Sequence, residues 1–169
     1  RGAEGGSVVE ARTTLVGIAT GTPDGGVAIV RLSGPRAVAI AIELGATVGD
    51  DRRLVHRRLA LGGSTREPAL VVAMLGPHSF TGEDVVEFHV HAGVVNVEQV
   101  VGACLGRGAV AAGPGEFTRR AFDAGRLTLE QAEGIAALIG AQTQAAVDQA
   151  RRLVAGELGR EVEALVEAV

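Results

Sequence analysis

Lysine, tyrosine and tryptophan are absent from this 169-residue chain, and cysteine and methionine occur once each. Without lysine there is neither a Schiff-base amine nor a phosphate-loop lysine. Phe80, Phe88, Phe117 and Phe122 are the only aromatic residues, so a base-stacking surface for single-stranded nucleic acid is not expected. Cys104 has no second cysteine to bridge to. It lies in the apolar run Val97 to Leu105, where a buried, inert thiol is expected. That usage suits a reducing compartment, and a cytoplasmic location is the expectation. No run approaches the roughly 18–20 apolar residues of a membrane span, so no membrane attachment is expected. Residues 1–12 have no apolar core of a signal peptide and read as a disordered extension.

What is present is globular: 47% apolar, 21% charged, with a formal net charge of −4. That balance disfavours unaided binding to nucleic acid through phosphate neutralisation. The all-arginine pairs Arg52-Arg53, Arg57-Arg58, Arg119-Arg120 and Arg151-Arg152 are interspersed with acids. They read as solvated faces or, more sharply, as a tRNA or partner surface.

Thr14 to Ala19 and Val27 to Leu32 read as strands separated by turn residues. Pro35 suits the first turn of a helix that runs to about Leu44, with Ser33 or Gly34 as its cap and Gly45 as its end. Leu59 to Leu61 and Ala69 to Leu75 suggest a hairpin around the loop Gly62 to Pro68. Val85 to His91 alternates, with Val86, Phe88 and Val90 on one face and Val85, Glu87, His89 and His91 on the other. Val94 to Leu105 is helical in pattern. After Pro114 only helices are expected: Phe117 to Ala124, one opened by the capping box Thr128-Leu129-Glu130-Gln131, and one from about Thr143 to the end. The last carries an apolar stripe, Val147, Ala150, Val154, Leu158, Val162, Leu165 and Val169, with no partner helix in the sequence. The expected fold is α/β (α+β), a mixed sheet with helices followed by the start of an all-α domain. The expected boundaries are 1–12 for the extension, 13–125 for the sheet domain and 126–169 for a truncated helical domain.

Few residues here could carry chemistry. Glu87, His89 and His91 fall on one strand face at ~7 Å spacing. They could ligate zinc, or satisfy polar partners at a sheet edge. A carboxylate such as Glu87 can also accept two parallel hydrogen bonds from a flat donor edge, an amidine, guanidine or aminopyrimidinone, or simply pair with an arginine. Arg31 lies in an apolar strand and is placed on the face opposite Ile29 or at the strand end. It is either an anion clamp or an edge residue reaching water. Neither G-x-G-x-x-G after a strand nor G-x-x-x-x-G-K-[ST] occurs, so no nucleotide phosphate cradle is expected and the chain should not hydrolyse a nucleoside triphosphate.

Four stretches, in order, resemble the MnmE (TrmE) family of tRNA-modification GTPases. They are Gly25-Gly26-Val27-Ala28-Ile29-Val30-Arg31-Leu32-Ser33-Gly34, then Ser79-Phe80-Thr81-Gly82-Glu83-Asp84 leading into the strand to His91. The third is Pro114-Gly115-Glu116-Phe117-Thr118-Arg119-Arg120-Ala121-Phe122, and the fourth Leu127 to Ile135. The resemblance implies an amino-terminal domain with an aminomethyltransferase-like fold, which homodimerises and binds a tetrahydrofolate derivative in the 5-formyl or methylene form. It implies that Arg31, Glu87 and Arg126 contact the folate; Arg126 stands where lysine is frequent, and Ala92 where the family has His-Gly-Gly. It implies further that GTP, potassium and magnesium belong to a GTPase domain outside this chain. The implied partners are tRNA and an MnmG/GidA-type flavoprotein, and the reaction modifies carbon 5 of the wobble uridine. The alternatives are a stand-alone folate-dependent aminomethyltransferase-like enzyme and a purely structural dimerisation module.

Overall fold

The computed structural model describes residues 13–21, 25–157 and 159–160. The chain divides into two compact units, Arg1–Leu75 with Glu83–Ala111, and Gly76–Gly82 with Ala112–Val169.

The first unit contains β1 (Leu15–Ile18), β2 (Val27–Ser33), α1 (Ala37–Glu43), β3 (Val55–Gly62), β4 (Thr65–Met74), β5 (Val85–His91), α2 (Val94–Leu105) and β6 (Val110–Ala111). The six strands form one sheet in the order β3-β4-β5-β2-β1-β6. All neighbours run antiparallel except β1 and β6, which are parallel. This is the mixed sheet of an α/β fold. The period-two pattern decides the core: Ala28, Val30 and Leu32 of β2 and Val86, Phe88 and Val90 of β5 are buried in one cluster with Ile40 and Ala41 of α1 and Val97, Val100 and Cys104 of α2. Both helices therefore cover the same sheet face.

Three local expectations change. Arg31 shares its face with Ile29, because residues two apart on a strand point the same way; Val30 and Leu32 are the buried pair. Helix α1 begins at neither Ser33 nor Gly34. Its N-cap is Arg36, which has no side-chain cap of its own; instead the Arg36 backbone N–H donates to Thr14 Oγ1 at 2.8 Å. Gly34 makes that approach possible: it has φ +135°, and a Cβ there would lie 2.7 Å from Thr14 Cα. The hairpin is tighter than the sequence suggests, with only Gly63 and Ser64 between β3 and β4. Pro68 sits inside β4 opposite Arg58, beyond Leu70, where pairing with β5 begins. A proline is tolerated where the strand has a single neighbour.

The second unit holds α3 (Glu116–Asp123), α4 (Leu129–Gly140) and α5 (Gln144–Val154). The capping box is formed: Gln131 N–H donates to Thr128 Oγ1, and Thr128 N–H donates to Gln131 Oε1. Helix α5 stops earlier than expected. Ala155 caps it and Gly156 takes φ +67°. Its stripe also has a partner, because α4 packs on it through Gly134, and Ala150 is fully buried. The stripe positions Leu158, Val162, Leu165 and Val169 lie outside the described residues.

Candidate functional site on the sheet face away from the helices

Strand register builds the site. On β5, Glu87 lies between Arg31 of β2 and Val72 of β4, and His89 lies between Ile29 and Leu70. Period two turns all of them away from α1 and α2. The guanidinium of Arg31 grips a single oxygen of Glu87: Nε donates to Oε1 at 2.8 Å and Nη2 approaches it at 2.7 Å. The two side chains are 27% and 12% exposed, shielded enough for the pair to be stronger than a surface ion pair. The second oxygen, Oε2, faces His89 Nε2 at 3.5 Å. No hydrogen bond spans that gap, and His89 Nε2 is buried without a hydrogen-bond partner. An unsatisfied buried nitrogen of this kind costs about 1–3 kcal/mol.

The three polar residues of β5 do not converge. His91 turns to Glu67, with Nδ1 2.9 Å from Oε1. The same Glu67 oxygen accepts from the His91 backbone N–H and from Asn96 Nδ2. Burial pushes the Glu67 carboxyl up, but these hydrogen bonds outweigh it and hold the pKa below the usual carboxylate value. Among the described residues, no group of three or more His, Cys, Asp or Glu side chains could hold a metal ion.

Beside the pair is an open cavity of about 350 Å³ that His56, Pro68, Leu70, His89 and His91 help to line. Glu87 and Arg31 do not line it, so His89 is the residue that joins the cavity to the pair. A second cavity of about 330 Å³, more apolar, lies between the ends of β1 and β2 and the start of α2. Ala92 is part of its wall. Ala92 has no positive φ; among the described non-glycine residues only Arg52 does. The departure from His-Gly-Gly therefore strains nothing.

The end of the loop before β5 is tied to the end of β2. Ser33, buried at the end of β2, donates to Glu83 Oε2 at 2.7 Å, and Gly34 N–H donates to the Asp84 carbonyl. In the second unit, Gly82 takes φ +77° and leaves room for the stem of Arg126, whose Cγ would lie 3.6 Å from a Cβ at Gly82. The structure thus joins Arg31 to Glu87 in one unit and sets Arg126 beside Gly82 in the other.

Residues 14–126 match the family described as GTP-binding protein TrmE N-terminus. The chain belongs to this family. Its similarity to curated TrmE-family proteins runs beyond the matched domain. It is 45% identical over 164 residues to tRNA modification GTPase MnmE of Acaryochloris marina, covering 91% of this chain and 36% of that protein. It is 49% identical over 140 residues to the protein of that name from Roseobacter denitrificans (82% and 33%). The counterpart from Stutzerimonas stutzeri is 43% identical over 161 residues (95% and 35%). The chain thus spans about a third of the length of these relatives, and it corresponds to the amino-terminal domain of a tRNA-modification GTPase. Among the described residues no helix is long and apolar enough to cross a membrane.

Sequence reasoning singled out Arg31, Glu87 and Arg126 but gave His89 only a place in a possible metal trio and missed Glu67 altogether. The alternation of β5 carried the signal for His89. Glu67 carried none, because the hairpin reading placed it in a loop.

Proposed function

We propose that this chain provides the tetrahydrofolate-binding and homodimerising part of a tRNA-modification GTPase. The observation that carries the folate reading is the state of Glu87: a largely shielded carboxylate, charge-paired through Oε1, with Oε2 left for an incoming donor. A pterin presents adjacent N–H donors on one flat edge, the geometry a carboxylate accepts. Arg31 is paired with Glu87 through Oε1 and can itself donate to a ligand oxygen. Arg126 is proposed as a further folate contact. The bound folate supplies the one-carbon unit, in 5-formyl or methylene form, for carbon 5 of the wobble uridine. GTP, potassium and magnesium are assigned to the part of the relatives that this chain does not span, and a flavoprotein of the MnmG type and tRNA are assigned as partners of the assembled protein.

Calorimetric titration with 5-formyltetrahydrofolate tests this reading. Saturable binding near one ligand per chain is expected, weakened at least tenfold, about 1.4 kcal/mol, in Glu87→Ala with the fold intact by circular dichroism. Absence of binding by a folded wild-type dimer would leave the structural-module reading in its place. Undiminished binding by the variant would move the ligand away from β5.

A further inference from the structure

We propose that His89 is a positioning residue whose protonation state decides whether Glu87 Oε2 is available to a ligand. The inference rests on the reading of Glu87 as the ligand-binding carboxylate, but its physical basis is separate. Arg31 occupies Oε1 with two nitrogens, so the free acceptor capacity of Glu87 is concentrated on Oε2. His89 Nε2 faces that oxygen at 3.5 Å and is buried without a hydrogen-bond partner. A neutral ring with its proton on Nδ1 sets a lone pair against Oε2, and the carboxylate is left to accept from elsewhere. An imidazolium has a proton on Nε2, and a small shift closes the gap into a charge-assisted hydrogen bond. Glu87 is then paired on both oxygens by its own chain, and a ligand donor has to compete for it.

The surroundings support His89 as the group that responds. Ile29 and Leu70, its direct neighbours on β2 and β4, are apolar. Among the described residues, the other charged or titratable groups placed near it are Arg31 on β2, paired with Glu87; His91 on its own strand, paired with Glu67; and His56 on β3, which lines the same cavity. Only Glu87 among the described residues faces Nε2 at ion-pair distance. Imidazole is the side chain that ordinarily changes charge between pH 5 and 8, a range in which the pterin edge does not.

Two readouts on the whole chain test this. In ligand-free protein, the carboxyl carbon resonance of Glu87 is followed by NMR between about pH 5.5 and 8. A step that coincides with protonation of the His89 ring, and that vanishes in His89→Gln, is expected. An unmoved Glu87 resonance while His89 titrates overturns the inference, whether or not folate binds. Calorimetric titration with 5-formyltetrahydrofolate over the same range should show affinity falling about tenfold toward low pH in wild type, and a flat profile in His89→Gln whatever its absolute affinity. The same slope in both proteins would assign the effect to His56 or His91 and overturn the proposal. If the NMR coupling is present and no folate binds at any pH, the His89–Glu87 pair stands and the folate reading falls.

Discussion

Two carboxylates on adjoining strands show how neighbours set the use of the same chemical group. Glu87 has one strong partner on one oxygen and an unused oxygen beside an imidazole. Glu67 has its Oε1 filled by His91 and Asn96, and this knot ties the end of β5 and the start of α2 to β4. Glu87 is arranged for recognition and Glu67 for structure. The folded-state pKa of Glu67 is depressed, so its stabilisation is fully present above the unfolded carboxylate value, near 4.3, and is lost as pH falls through the lower folded value. Glu67→Gln keeps the shape and discards the charge. It should lower stability by about 1 kcal/mol at pH 7, and the difference from wild type should shrink as the pH falls below about 4.3. Urea unfolding of both proteins on either side of that pH checks it; a pH-independent difference would show that the charge contributes nothing.

Among the elements, α4 and α5 are joined more closely than their sequences suggest. A Cβ on Gly134 would lie 2.7 Å from Val154 N and 2.8 Å from Leu153 Cβ, and backbone cannot yield as a flexible side-chain tip can. Alanine is the better helix former by about 1 kcal/mol, yet Gly134→Ala is expected to destabilise by about 1–3 kcal/mol, because overpacking outweighs propensity. Hydrogen exchange should show faster exchange in α5, while β2 and β5 keep their protection. A stabilised variant would show that α4 and α5 can separate at no cost. Helix α1 is a related case: the amide of its N-cap, Arg36, donates to Thr14, 22 residues earlier in the chain. Local sequence offers Ser33, Gly34 and Pro35 as start signals, and no local rule points to a hydroxyl before β1.

For the whole molecule, Cys104 is a built-in reporter of the first unit's core. It is fully buried between α2 and the sheet, and burial pushes its thiol up to about 12 despite the nearby Arg107 charge. At pH 8 it should be unreactive toward a disulfide reagent in folded protein and become fully reactive across the urea transition of the first unit. Rapid labelling without denaturant would mean that this core opens readily. Neither Glu67 nor Gly134 contributes to that core cluster, so substitutions there should leave folded-state labelling slow.

The chain alone determined what depends on period and local chemistry. The alternation of β2 and β5, the helical spacing of α2, the capping box at Thr128 and the four family stretches could all be read in one dimension, because each is a relation between residues a few positions apart. So could the choice of Arg31 and Glu87, although their direct pairing could not. Only the tertiary structure decided that β2 and β5 are neighbours in the register that sets Arg31 against Glu87. It also decided that His89 Nε2 is buried facing Oε2, that Thr14 accepts from the N-cap amide of α1 and that α5 ends at Val154 against a packed α4. Each of these depends on contacts between segments tens of residues apart, or on a backbone conformation that long-range packing selects. Strand order and close approach are properties of the fold, and no local propensity encodes them.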